Sequence, residues 1–441
     1  MSGWAAAATP ATRGELATLW VDGPGAAFNI GLVCRFDAGP FRHANGSVDG
    51  EAVRTVLARR ALAVPALRRR LVVSRRPAWV DGPLDPEQHI RCGDLPDGVD
   101  LVEWCADRIL EPLDRARPLW RADVVGLAGG EFVVLLVAHH VLVDGRRGVA
   151  VLRALLDGHQ EGDPSSTAVE ARRTPAIPPG RPHRWRQLRH ALGDLRGRAP
   201  VTSLSHPVGP ERRVAVLFAD LAGLGGVEDA FGATVNDVLL AAVTAGLRHL
   251  LLSRGETVAE LEMRASVPVS SGAAGQPEGM LLLSLPVYED DPLRRLETIA
   301  RRTAALKGRL RAGGGTVFDV LRLPTPLARA AVRWMQHIAA RGINLFVTDV
   351  PGPREPLSLG GARLLSAVPV APLTANVPLG VAALSYAGTL YVSVNADKAV
   401  ADLGVLSDGM EREFATLTAA ARDRTPRSHR APQASPRTVS T

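Results

Sequence analysis

The sequence predicts an α/β protein of two domains, and three observations carry that prediction. Apolar runs of strand length alternate with stretches whose apolar residues recur at helical spacing, in both halves of the chain. The chain has 441 residues, too many for one ordinary core. Between the halves, residues 159–182 form a polar Pro/Ser/Thr/Gly/Arg stretch with the composition of a linker. The organisation expected is a leader over 1–13, a first domain over 14–158, a connecting region over 159–205, a second domain over 206–423 and a tail over 424–441. Both ends read as disordered.

In the first half, residues 31–36 read as a strand and 51–60 as a helix with Asp49 as its cap. Residues 68–73 and 78–81 have the pattern of a hairpin. Residues 101–110 fit a helix that Pro112 ends, because proline has no N–H for the helical ladder. Residues 119–125 and 131–138 form two strands turned by Leu127-Ala128-Gly129-Gly130. The second strand is apolar on both faces, as in a strand buried on both sides. A short helical pattern follows at 148–156.

In the connecting region, Trp185, Leu188, Leu192 and Leu195 share one helical face among arginines. Such a basic amphipathic helix suits either an anionic membrane interface or docking on the protein itself. In the second half, residues 213–218 read as a strand. Thr234 is placed to cap a helix whose buried stripe is Val235, Leu239, Val243, Leu247 and Leu250. Strands follow at 262–270 and 280–287, and helices at 290–310 and 327–340. Four more strands, at 345–350, 364–370, 380–385 and 390–396, lead to a closing helix over 403–420.

Composition narrows the function classes. Apolar content of 46% and charged content of 22% describe a soluble globular protein. The net charge of +7, carried by arginine, is compatible with an anionic membrane or lipid-droplet surface, an anionic ligand, or simply solvated arginines. Nucleic acid is discounted, because aromatics make up only 4% and no zinc or RNA-recognition pattern occurs. Cys34, Cys92 and Cys105 form no C-x-x-C pair, so neither a disulfide framework nor a metal site is expected. No nicotinamide or flavin fingerprint and no secretory signal pattern is found. No apolar stretch reaches the ~18 residues of a membrane span, since Arg248 and His249 interrupt the longest one. The expected location is cytoplasmic, with any membrane contact peripheral at the inner surface.

The chemistry concentrates at Ala138-His139-His140-Val141-Leu142-Val143-Asp144-Gly145, where a buried strand delivers two histidines to a turn. Consecutive strand residues point to opposite faces, so one imidazole faces a reaction site and the other packs inside. An imidazole titrates near neutrality and can take a proton from a hydroxyl at working pH. Asp144 can hold the loop through backbone N–H groups or pair with an arginine, and Gly145 permits the tight turn.

His139-His140-x-x-x-Asp144-Gly145 resembles the HHxxxDG signature of the coenzyme A-dependent acyltransferase superfamily, which includes nonribosomal peptide condensation domains. Pro118-Leu119-Trp120 resembles the PLW motif of the bacterial wax ester synthase/diacylglycerol acyltransferase family, and Val235-Asn236-Asp237-Val238 its ND motif. The stretch from Asn344 to Pro353 is similar to the NxxxSNVPGP segment of that family. The resemblance runs from about residue 100 to 420. It implies two similar chloramphenicol acetyltransferase-like domains of mixed sheets and helices, with an active-site tunnel between them. It implies transfer of a fatty acyl group from acyl-CoA, a substrate rather than a cofactor, to diacylglycerol or a long-chain alcohol.

By the same resemblance, His140 is the general base and His139 shapes the loop. Asp144 orients it through an ion pair, with Arg264 as a candidate partner. Asn236 is a substrate contact or a helix cap, and Trp120 a substrate contact or a core residue. Three departures leave the acceptor open. Gly279-Met280 stands where a Gly-Asn pair is usual, and Asp349 where an Asn is usual. The stretch from Pro24 to Gly31 replaces a segment with proline, methionine and histidine. Two alternatives follow: a secondary-metabolism acyltransferase or condensation-like enzyme with a carrier-bound donor, and a catalytically silent lipid-binding relative.

Overall fold

The computed structural model of the protein describes residues 8–20, 22, 28–74, 77–82, 84–143, 145–157, 198–269, 279–311, 341–373 and 376–424. The basic helix expected over 184–196, the helix over 327–340, Asp144 and most of both termini lie outside the described residues.

The first half provides β1 (Thr9–Pro10), α1 (Arg13–Trp20), β2 (Asn29–Asp37), α2 (Gly50–Ala63), α3 (Pro65–Arg68), β3 (Arg69–Val72), β4 (Ala78–Asp81), α4 (Pro86–His89), β5 (Ile90–Asp94), α5 (Leu101–Leu110), β6 (Trp120–Leu127), β7 (Glu131–His139) and α6 (Gly145–Leu155). The second half provides β8 (Arg212–Asp220), α7 (Leu221–Phe231), α8 (Val235–Ser253), β9 (Glu262–Val269), β10 (Gly279–Pro286), α9 (Pro292–Arg311), β11 (Leu345–Val350), β12 (Ser358–Leu359), β13 (Ala362–Val370), β14 (Leu379–Tyr386), β15 (Thr389–Asp397) and α10 (Leu403–Arg424).

Local chemistry sets these boundaries. Asp49 caps α2 by accepting from the Ala52 N–H, and Asp100 caps α5 by accepting from Val102 and Glu103. Thr234 and Asp237 form a reciprocal capping box at the start of α8. The β6–β7 turn needs Gly129 and Gly130, whose φ angles of +86° and +79° favour glycine. Elements α1 and α7, of 8 and 11 residues, are absent from the sequence reading.

The elements build two six-stranded mixed sheets and a small three-stranded sheet of β1, β4 and β3. The second sheet, β10-β9-β11-β14-β15-β8, comes wholly from the second half. The first has the order β12-β13-β2-β7-β6-β5, so two strands from the second half cross over and complete it. A division at residue 206 therefore follows the chain but not the sheets.

The crossover strand is held from both sides. β13 pairs antiparallel with β2, from Leu364↔Phe36 to Val370↔Gly31. Carbonyls of β13 and the residue after it are taken up by side chains of β15. Tyr391 Oη donates to Leu365 O at 3.1 Å, Asn395 Nδ2 to Ala371 O at 2.7 Å, and Ser393 Oγ to Pro369 O. Ser393 and Asn395 are buried polar residues, and these bonds engage the Ser393 hydroxyl and the Asn395 amide NH2.

Helix α8 corrects one expectation. Its 19 residues are long and apolar enough to cross a membrane by length and composition. Its apolar surface has another destination, since 72% of its apolar stretch is buried inside the protein. It crosses α10 at paired glycines: a Cβ on Gly246 would lie 2.6 Å from Leu406 O, and one on Gly409 would lie 2.9 Å from Gly246 Cα.

Candidate active site

The two histidines leave β7 in different environments. His139, the last residue of the strand, is 3% exposed, whereas His140 begins the turn and is half-buried. The strand alternation expected from the sequence thus separates them. The hairpin ties this end to the Pro118-Leu119-Trp120 segment, because the His139 N–H donates to Leu119 O at 2.9 Å and Trp120 pairs with Ala138. Gly145 opens α6 immediately beyond Asp144.

The ring of His139 is held at both nitrogens. The Val141 N–H donates to Nδ1 at 3.0 Å, so the proton of the neutral ring sits on Nε2. Nε2 lies 3.1 Å from Asp22 Oδ2. Asp22 also accepts from the Phe28 N–H at 2.7 Å and from Arg115 Nη2 at 2.8 Å. Burial pushes the Asp22 carboxyl up. The hydrogen bonds from His139, Phe28 and Arg115 more than offset that and hold it below its ordinary value. It is therefore ionised at neutral pH.

Phe28 also reaches the second histidine. The His140 N–H donates to Phe28 O at 3.0 Å, and the two rings stack at 5.0 Å with an interplanar angle of 23°. Just beyond, Asn29 Nδ2 donates to Ile109 O at 2.9 Å and Glu111 O at 3.2 Å, fixing the start of β2 to the end of α5. Asp22 and Phe28 are the residues that sequence reasoning missed. Asp22 lies 117 positions from His139 and belongs to no motif. Phe28 falls in the segment where the family pattern is lost. An isolated acid before a strand that pairs with the histidine strand was the one available signal.

Trp120 is in the core. Its indole is 4% exposed, its N–H donates to Leu67 O at 2.8 Å, and its ring stacks on buried His89 at 4.8 Å. Asn236 is the second residue of α8 and is half-buried. Thr234 does the capping, so Asn236 is free of that role, and among the described residues its amide has no hydrogen-bond partner. Arg264 lies on β9, and its pairing with Asp144 falls outside the described residues.

The Asn344 to Pro353 stretch is a structural clamp. Asn344 Nδ2 donates to Pro200 O and its Oδ1 accepts from the Arg264 N–H, both at 2.9 Å. Gly352 passes so close to β14 that a Cβ would lie 2.1 Å from Ser385 O. Asp349 sits between them opposite Ala383, half-buried, with no donor in reach among the described residues. Burial pushes its carboxyl up to about 6.

A carboxyl raised in this way contributes stability below its unfolded pKa, and that stability is lost as pH rises through the folded value. The window here runs from about 4 to about 6. Asp349→Asn is expected to stabilise the protein by roughly 2–3 kcal/mol at pH 7.5 and to have little effect at pH 4. Chemical unfolding of both proteins at the two pH values checks this. An equal effect at both would show that ionisation is not the cause.

Comparison with known proteins gives the family of the chain. Residues 15–197 match the wax ester synthase/diacylglycerol acyltransferase catalytic domain, and 275–418 match the WS/DGAT C-terminal domain. A probable diacylglycerol O-acyltransferase of Mycobacterium tuberculosis is 33% identical over 382 residues, covering 79% of this chain and 82% of the relative. A second, putative diacylglycerol O-acyltransferase of that organism is 30% identical over 391 residues, covering 85% and 84%. Among solved structures, the wax ester synthase/diacylglycerol acyltransferase from Marinobacter aquaeolei VT8 superposes with a TM-score of 0.71 at 24% identity, over 94% of this chain and all of that one. The first condensation domain of the calcium-dependent antibiotic synthetase superposes with a TM-score of 0.61 at 20% identity, over 96% and 98%. These two likenesses establish a shared fold.

Proposed function

The chain belongs to the wax ester synthase/diacylglycerol acyltransferase family, and from that premise we propose that its acyl transfer runs on His140 as general base. The observation that carries this is the division of the histidine pair. His139 has both ring nitrogens engaged inside the protein, while half-buried His140 stands at the strand end with its ring placed by Phe28.

In this reading an acceptor hydroxyl gives its proton to the His140 ring as its oxygen attacks the acyl thioester carbon. The tetrahedral intermediate collapses, the C–S bond breaks, and coenzyme A leaves as the thiolate. The proton on His140 passes to that sulfur, so the base is restored and no covalent enzyme intermediate forms. Holding both substrates against one base supplies much of the acceleration. Asn236 is assigned as a polar contact to substrate, since its amide is not used by the cap. Asp144 is assigned to orient the loop through an ion pair, and Gly145 to permit its tight turn. The donor is a fatty acyl-CoA, and the acceptor a diacylglycerol or long-chain alcohol. Acceptors of this kind reside in lipid, so the enzyme works in peripheral contact with a membrane or droplet surface from the cytoplasmic side.

The test is thiol release from palmitoyl-CoA by the purified protein, with dioleoylglycerol or hexadecanol supplied in mixed micelles. Acceptor-dependent release supports the substrate assignment. Absence of release from folded protein with either acceptor sinks it and directs attention to carrier-bound donors.

A further inference from the structure

Three donors converge on the Asp22 carboxylate: His139 Nε2 at 3.1 Å, the Phe28 N–H at 2.7 Å and Arg115 Nη2 at 2.8 Å. Two of these donors belong to groups that define the histidine loop. His139 is the residue before His140, and Phe28 both stacks on the His140 ring and accepts, at its backbone carbonyl, from the His140 backbone N–H. We propose that Asp22 is a positioning residue for acyl transfer, locking the ring of His139 directly and orienting His140 through Phe28. This rests on the reading of His140 as base.

The chemistry of the site requires an ionised carboxylate. Every group facing Asp22 in these contacts is a donor, and a carboxylate is the one side chain that accepts on both oxygens. An amide of the same shape would turn its NH2 toward a donor, either Phe28 or the His139–Arg115 side. An alanine would strand the Nε2 proton of a residue that is 3% exposed. In both variants the pairing that fixes the His139 tautomer weakens and Phe28 loses an anchor. Arg115 balances the charge, and with 58% of its side chain exposed it provides no comparable positional lock.

The experiment compares wild type, Asp22→Asn, Phe28→Leu and His140→Ala in the full-length protein. It measures kcat and KM for palmitoyl-CoA with dioleoylglycerol, and histidine ring 15N resonances. In wild type, His139 is expected as a single Nε2-protonated tautomer. Asp22→Asn should shift those resonances toward a tautomer mixture. It should lower kcat on the order of ten- to a hundredfold while KM stays within about twofold, as for a displaced catalytic group. Phe28→Leu leaves the carboxylate in place and keeps the route testable if Asp22→Asn fails to fold. It should lower kcat without altering the His139 resonances. Loss of activity in His140→Ala beside retained kcat in Asp22→Asn, or unchanged His139 resonances in folded Asp22→Asn, overturns the role of Asp22. Retained activity in His140→Ala overturns the base assignment instead, and with it the route through Phe28.

Discussion

Replacing His140 with Ala is expected to lower kcat by at least about a hundredfold and to leave the protein folded. On the reading of His140 as general base, the activity loss follows from removing the group assigned to take the acceptor proton. The fold survives because the bonds that seat this end of β7 do not involve the His140 ring. The His140 N–H to Phe28 O bond and the His139 N–H to Leu119 O bond are both between backbone groups. The stacking of the His140 ring on Phe28 is lost with the side chain, and it is a half-buried contact. His139→Ala differs in kind, since it strands the Val141 N–H inside the protein and takes away one of the donors that the Asp22 carboxylate accepts from. Thiol release and thermal unfolding measured side by side separate the two. A His140→Ala protein with near-wild-type turnover would remove His140 from the reaction, and a collapse of its melting temperature would make the activity loss uninformative.

Much of this site was legible in the sequence because it is local. The apolar run ending in two histidines predicts one ring in and one ring out, since side-chain direction alternates along a strand. The β6–β7 hairpin and the start of α8 are likewise written in neighbouring residues, through Gly129, Gly130 and Thr234. The features that escaped depend on pairings far apart in the chain. Asp22 meets His139 across 117 positions, and its identity as a partner depends on β2 lying beside β7. The crossover of β13 to the first sheet is invisible for the same reason. Its alternating pattern specifies a strand but does not specify which sheet receives it. Helix α8 reads in the sequence as a helix with a buried stripe. What that reading understates is its extent, since its 19 residues are apolar enough for a membrane span and are mostly buried between the second sheet and α10.

The largest loss of stability is expected from Glu413→Ala, which should destabilise the protein by about 3–5 kcal/mol. Arg295 Nε lies 3.0 Å and its Nη2 3.3 Å from the two oxygens of Glu413, joining α9 to α10. Both side chains are 4% exposed, so water cannot replace a missing partner. Arg295 also donates to Glu289 O at 2.9 Å and Asp290 O at 3.3 Å, and these bonds keep the guanidinium in place after the carboxylate is gone.

The two single variants are not equivalent. Arginine cannot shed its proton, so Glu413→Ala leaves a buried charge uncompensated. Glutamate can become neutral, and burial already pushes the Glu413 carboxyl up against the opposing pull of Arg295. Arg295→Met should therefore cost less than Glu413→Ala, and the gap should widen as pH falls, because the stranded carboxyl can take up a proton whereas the stranded guanidinium cannot lose one. The double variant Arg295→Met/Glu413→Leu should recover most of the loss, because apolar groups of similar volume fill the space with no charge to desolvate. Urea unfolding of the four proteins at pH 5 and pH 8 closes the cycle. Losses that are equal for both single variants and independent of pH would mean that packing between α9 and α10, rather than the stranded charge, sets the cost. The activity readout should also differ from that of His140→Ala. Turnover per folded molecule should stay near wild type, because this pair supports the helical layer behind the second sheet and touches neither histidine.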